Sequence, residues 1–170
     1  MKKKTEYLTK AALIAAVYVA LTWLSALPGL AYGSVQFRLS EALTILPIFC
    51  PAAIPGLTVG CLLSNITSTI NPVDMVIGTA ATLIACLATR AARNVRIKGF
   101  PLLSFLSPVV ANALFVGAEI AIFTEGDVFL HAFALSAAGV AAGELAVIFV
   151  LGTALFFVIE KNEKLKTLLG

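Results

Sequence analysis

The chain has 170 residues, of which 60% are hydrophobic and 12% are charged, and its formal net charge is +3. A soluble domain carries about 25% charged residues, so this composition excludes an ordinary soluble domain and predicts a polytopic protein of the lipid bilayer. The length suits one compact unit, and we expect residues 1–170 to form a single integral-membrane domain. The 3 cysteines lie in apolar segments without ligand spacing, which argues against a disulfide framework and a metal site.

The distribution of basic residues predicts the topology. All Lys and Arg residues except Arg38 fall in three clusters, within residues 2–10, 90–98 and 161–166. Lys and Arg collect on the cytoplasmic side of membrane proteins, so all three clusters are predicted to lie inside. An even number of spans then places both the N-terminus and the C-terminus in the cytoplasm.

Apolar runs predict an all-α bundle of six transmembrane helices. The predicted spans are residues 8–27, 43–54, 56–70, 73–89, 100–123 and 131–159. The second and third runs are shorter than the roughly 20 residues that a span needs, so they form short spanning helices or a re-entrant hairpin. The fifth span is expected to kink at Pro108, and the sixth is too long to be straight and untilted.

Small residues line one stripe of the first span. Ala12, Ala16 and Ala20 follow one another at four-residue spacing, which lets a second helix approach closely. The partner is either a helix of the same chain or a separate subunit, and the composition leaves both open.

Two apolar runs contain polar groups that are costly in a membrane. Asn112 and Glu119 are seven residues apart in the fifth run and therefore share one helical stripe. The sixth run contains Glu144. Because a charge at such a position costs roughly 3 kcal/mol or more, we expect both carboxylates to face each other across a pocket. A small cationic or hydrogen-bond-donating ligand fits such a pocket.

The depth of these groups follows from counting inward from the basic clusters. At about 1.5 Å per residue, Asn112 lies about 21 Å, Glu144 about 24 Å and Glu119 about 31 Å from the inner face. Since the hydrocarbon core is about 30 Å thick, the site is predicted to open outward.

Catalytic and nucleotide-binding motifs are missing from the sequence. The chain has no GxxxxGK[ST], HExxH or GxSxG motif and no paired His/Cys ligand set. We therefore expect no enzyme activity, no cofactor and no nucleic-acid partner. A six-span protein with an outward pocket and no motor is typical of a capture subunit that needs an energy-coupling partner.

Four stretches carry a resemblance to a known family. They are QFRLSEALTILP at 36–47, PAAIPGLTVGCLLSN at 51–65, PVDMVIGTAATLIA at 72–85 and ANALFVGAE at 111–119. The sequence resembles the substrate-specific (S) components of energy-coupling factor (ECF) transporters, and more narrowly the QueT-type queuosine-precursor family. The resemblance implies a six-helix bundle in the bacterial cell membrane that binds a vitamin-like metabolite from outside.

The resemblance also implies a substrate and protein partners. The substrate is prequeuosine 1, a deazaguanine that bears an aminomethyl group. The partners are a transmembrane coupling subunit, which would meet the stripe of Ala12, Ala16 and Ala20, and two cytoplasmic ATPases. One glutamate would accept the N–H donors of the guanine edge and the other would bind the ammonium.

Further residues complete the expected site. Asn112 would bind the ring carbonyl, and Phe115 and Phe123 would stack on the base or fill the core. Gln36 and Arg38 would cover the site from the first outer loop. Glu41 would join them, although Arg38 and Glu41 are also spaced to form a surface ion pair.

Two alternative functions remain open from the sequence. The first is an S component for another vitamin-like metabolite. The second is a proton-coupled carrier that uses Glu119 and Glu144 as its relay. Asp74 is interpreted as an N-terminal helix cap rather than as a site residue.

Overall fold

A computed structural model describes residues 2–29, 31, 36–68, 71–123 and 128–170. Within these ranges the α-helices are α1 (Lys2–Ala26), α2 (Ala53–Ser64), α3 (Asn71–Ala91), α4 (Leu102–Phe123), α5 (Phe129–Val147), α6 (Thr153–Glu160) and α7 (Glu163–Leu169). The 3₁₀ helices are Leu39–Ile48, Asn65–Thr67 and Ala92–Asn94, and a π-helical turn, Ile148–Gly152, joins α5 to α6. Residues 32–35, which precede Gln36 in the first outer loop, and residues 124–127, which follow the fifth predicted span, lie outside the described residues.

Four helical segments of the described chain are long and apolar enough to cross a membrane. These segments are Lys3–Ala26, Pro72–Asn94, Leu102–Phe123 and Phe129–Glu160. They confirm the predicted all-α membrane protein. The two short predicted spans are observed as shorter apolar elements, Leu39–Ile48 and Ala53–Thr67. The last long segment is continuous because α5 and α6 are joined through the π-helical turn, and α4 continues as one helix through Pro108.

The 3₁₀ helix Leu39–Ile48 runs antiparallel to α1. At one end, the Leu39 N–H donates to Ser25 Oγ at 2.9 Å. Beyond the other end, the Tyr7 hydroxyl lies 3.5 Å from the Pro51 carbonyl oxygen. The two α1 residues are 25 − 7 = 18 positions apart, about 27 Å at 1.5 Å per residue. A 3₁₀ helix rises about 2.0 Å per residue, so a short element covers this distance better than an α-helix of equal length.

Arg90 fixes the end of the 3₁₀ helix that lies nearest to the basic clusters. Pro51 has no N–H, so it cannot donate to the carbonyl groups one turn before it. The Arg90 guanidinium, in the last turn of α3, donates instead to the carbonyl oxygens of Pro47 and Ile48 at 3.0 and 3.1 Å. The side chain therefore ties α3 to the 3₁₀ helix.

Small residues bring α1 and α2 into close contact. A β-carbon at Gly56 would stand 2.7 Å from the Ala11 carbonyl oxygen. A β-carbon at Gly60 would stand 3.1 Å from the Ala15 carbonyl oxygen. The two glycines are four residues apart, as in small-residue contacts between transmembrane helices. The face of α1 that carries Ala11 and Ala15 is thus used within the chain.

The predicted alanine stripe lies on a different face of α1. Ala12, Ala16 and Ala20 are all exposed in the described structure. Large apolar side chains flank them, since Leu13 and Val17 are exposed on the same helix. Among the described residues, none buries this stripe.

Gly60→Val is expected to destabilise the protein, because the new side chain would meet Tyr18 Cβ at 2.9 Å and the backbone of Ala15. Overpacking of this kind costs about 1–3 kcal/mol, so thermal unfolding in detergent should occur at a lower temperature. The matched control is Ala16→Val, which adds bulk to the exposed face and should leave the melting temperature unchanged. Equal melting temperatures for both variants would contradict this packing.

Candidate functional site

Arg38, the basic residue outside the three clusters, lies inside the bundle and is 5% exposed. Its Nε donates to the Ala31 carbonyl oxygen at 2.8 Å. Its Nη2 lies 3.7 Å from Asp74 Oδ2, in an ion pair whose two side chains are buried. The alternative interpretation of Arg38 and Glu41 as a surface pair is therefore wrong, because both side chains are buried.

Asp74 is part of the same site. It is buried, and because α3 already begins at Asn71, Asp74 lies within the helix and the interpretation of it as the N-terminal cap is wrong. The Asn65 amide donates to the Asp74 backbone carbonyl at 2.9 Å and lies 3.4 Å from Asp74 Oδ1. A β-carbon at Gly78 would stand 2.7 Å from both of these side chains. Gly78 thus leaves the space in which Asn65 holds Asp74.

A polar stripe of α1 holds the beginning of the 3₁₀ helix. The Tyr18 hydroxyl donates to Glu41 Oε1 at 2.5 Å, and Thr22 Oγ1 lies 2.7 Å from Ser40 Oγ. Both α1 residues are fully buried. With Ser25, which binds Leu39, they occupy one face at spacings of four and three residues. This spacing was available in the sequence, yet the sequence analysis missed both Tyr18 and Thr22.

Glu144 is held by Asn112. The Asn112 amide donates to Glu144 Oε1 at 2.6 Å across the contact between α4 and α5. Asn112 also lies close to Glu41, and the carboxyl groups of Glu41 and Glu144 are electrostatic neighbours. The structure therefore brings together Glu41, Asn112 and Glu144 from three separate elements.

The backbone before Arg38 lies directly on α5. A β-carbon at Gly143 would overlap with the Gln36 carbonyl oxygen, so only glycine permits this approach. Gln36 is itself buried, and Gly143 precedes Glu144 in the chain. The Gln36 backbone is thus packed one residue away from a site carboxylate.

Glu119 is buried to 1% exposure, and neither of its carboxylate oxygens has a hydrogen-bond partner among the described residues. Its charged neighbours are Asp74 and Arg38. One oxygen of Glu41 and one of Glu144, in each case Oε2, also have no hydrogen-bond partner there. Three glutamates therefore present oxygens with no described donor.

These contacts define a buried polar cluster. Its members are Tyr18, Arg38, Glu41, Asp74, Asn112, Glu119 and Glu144. Four of its side chains are carboxylates and one is a guanidinium, which leaves an excess of acidic groups. Burying unpaired carboxylates is unfavourable, so a ligand that supplies positive charge and N–H donors would complement the cluster.

Two predicted stacking residues lie elsewhere. Phe115 and Phe123 are 39% and 50% exposed on α4, so the prediction that they fill the core is wrong, whereas their stacking on a ligand stays a prediction. In the described part of the chain, no three His, Cys, Asp or Glu side chains converge closely enough to hold a metal ion.

Glu119→Gln is expected to maintain or raise the melting temperature of the ligand-free protein, because it removes a buried carboxylate that has no described donor. Arg38→Gln should lower it, since that change removes the guanidinium from among four carboxylates. Thermal unfolding in detergent compares the two variants. A large decrease for Glu119→Gln would show that its carboxylate is structural.

Comparisons with known proteins identify relatives of this chain. The family described as QueT transporter matches residues 8–161. A protein of Lactococcus lactis subsp. cremoris (strain MG1363), named "Queuosine precursor transporter QueT", is 39% identical over 83 residues. That match covers 49% of this chain and 48% of the relative, so it spans about half the length of the curated protein. No solved structure matches the chain.

The family match covers most of the chain and confirms the resemblance found in the sequence. With its long apolar helices, the chain is a multi-pass protein of the bacterial cell membrane. It belongs to the QueT transporter family.

Proposed function

We propose that this chain is the substrate-capture subunit, or S component, of an ATP-driven ECF importer. Its substrate is prequeuosine 1, 7-aminomethyl-7-deazaguanine, bound from the outer side of the membrane. The name of the Lactococcus relative supports a queuosine precursor as cargo. The observation that carries the proposal is the buried polar cluster, in which three glutamates present unpartnered oxygens around one arginine.

The chemistry of the ligand complements that of the cluster. Prequeuosine 1 offers adjacent N–H donors on its guanine edge and a cationic aminomethyl group. Carboxylates accept such donors in charge-assisted hydrogen bonds, which are about twice as strong as neutral ones. Binding would satisfy the open oxygens of Glu41, Glu119 and Glu144. Asn112 would keep Glu144 in position while the ligand enters.

We further propose six membrane crossings with both termini in the cytoplasm. The 3₁₀ helix Leu39–Ile48 and the segment Ala53–Thr67 would supply the two short crossings. The contact between Tyr7 and Pro51 lies at the same end of the bundle as the hydrogen bond from Arg90 to the Pro47 carbonyl oxygen. All three basic clusters collect at this end, which favours a cytoplasmic position.

The exposed alanine stripe of α1 is the proposed contact with the transmembrane coupling subunit. Ala12, Ala16 and Ala20 permit close helix approach, and the described part of this chain leaves them exposed. Two cytoplasmic ATPases would complete the importer, because the chain itself has no nucleotide-binding loop.

Glu144→Gln is expected to weaken binding of prequeuosine 1 by about tenfold or more, since it removes a charged acceptor. Isothermal titration of the purified protein measures the loss, and thermal unfolding checks that the variant is folded. Glu6→Gln is the matched control, because Glu6 is exposed and pairs with Lys10 on α1. Unchanged affinity in a folded Glu144→Gln protein would contradict a role in binding.

Ala12→Leu combined with Ala16→Leu should block assembly with the coupling subunit and leave ligand affinity unchanged. The reason is steric, since leucine prevents close helix approach at the exposed stripe. Co-purification of the importer measures assembly. Ala134→Leu with Ala138→Leu is the matched control, because these α5 alanines are also exposed and four residues apart. Normal assembly of the α1 variant would show that the coupling subunit binds another face.

A further inference from the structure

The three glutamates of the buried polar cluster differ in how many of their carboxylate oxygens already accept a hydrogen bond. Glu41 and Glu144 each have Oε1 bound to a neutral donor, Tyr18 and Asn112 respectively, and Oε2 open. Glu119 has both oxygens open. We propose that the cluster is divided into two subsites, with Glu41 and Glu144 binding an ammonium and Glu119 binding a planar pair of N–H donors. This inference rests on the proposed function of the site.

The first subsite is formed by two carboxylates that are fixed in orientation. The Tyr18 hydroxyl donates to one oxygen of Glu41, and the Asn112 amide donates to one oxygen of Glu144. Each glutamate therefore offers one open acceptor oxygen rather than two. An ammonium is a compact charge with three N–H donors, so two separate single acceptors suit it well.

The second subsite is a carboxylate with both oxygens available. Two oxygens of one planar carboxylate can accept two parallel N–H donors, as in bidentate pairs with guanidinium groups. The nearest guanidinium, that of Arg38, instead directs described contacts to Ala31 and Asp74. The amino group and neighbouring ring N–H of a guanine-like base have the required parallel geometry.

The helix α4 sets the separation of the two subsites. Asn112, which anchors the first subsite, and Glu119 are seven residues apart on the same stripe. This spacing corresponds to about 10 Å along the helix axis. The two subsites would then bind opposite ends of one ligand, with the N–H edge of the base at Glu119 and the cationic substituent at Glu41 and Glu144.

Isothermal titration with three probes tests the division. The probes are prequeuosine 1, its analogue with a nitrile in place of the aminomethyl group, and its analogue without the exocyclic amino group of the ring. Glu144→Gln should weaken binding of prequeuosine 1 by about tenfold or more and change nitrile binding by less than about threefold. Glu119→Gln should weaken both of these probes by the same factor. Glu119→Gln should weaken binding of the analogue without the exocyclic amino group by a smaller factor.

Tyr18→Phe provides a second test that keeps every carboxylate. The change removes the hydroxyl that fixes the orientation of the Glu41 carboxylate, so binding of prequeuosine 1 should weaken more than binding of the nitrile. Thermal unfolding checks that each variant is folded, and Glu6→Gln remains the matched control. Equal losses for the aminomethyl and nitrile probes in both Glu144→Gln and Tyr18→Phe would overturn the division while the proposed function stands. Failure of the wild-type protein to bind any of the three probes would overturn both.

Discussion

The structure is organised around one buried guanidinium among four buried carboxylates. Arg38 pairs with Asp74 and is an electrostatic neighbour of Glu41, Glu119 and Glu144. One cation cannot balance four carboxylates, and an isolated charge in an apolar interior is strongly unfavourable. This imbalance explains why the cluster is suited to a cationic ligand rich in N–H donors. Such residues occur in membrane proteins where they face the interior of the bundle, as these side chains do.

The rest of the fold holds this cluster in place with small residues and short polar contacts. Gly56 and Gly60 allow α2 to pack closely against α1. Gly78 leaves space for the side chains of Asn65 and Asp74. Gly143 lets the Gln36 backbone approach α5. The polar stripe of α1 binds the 3₁₀ helix that carries Glu41. The helix α1 also exposes its alanine stripe on another face, so α1 connects the cluster to the proposed subunit contact.

The sequence predicts the membrane class, the long helices and several cluster residues, because their signals are local. Glu119 and Glu144 are conspicuous as carboxylates within apolar runs, and the structure buries both. Tyr18 and Asp74 were missed because a tyrosine in a span and an acidic residue near a helix start are each common. Their partners are distant in sequence and are brought close only by packing. The 3₁₀ form of Leu39–Ile48 was likewise hidden, since eight of its ten residues are buried and such a run has little periodicity from which residues per turn could be read.

The central claim is that the open oxygens of the glutamates accept the donors of a cationic base. An experimental structure of the protein bound to prequeuosine 1 tests it most directly. The account predicts the ammonium within hydrogen-bond distance of Oε2 of Glu41 and Glu144, and the guanine edge against both oxygens of Glu119. A ligand bound elsewhere, with these oxygens still without partners, would contradict it.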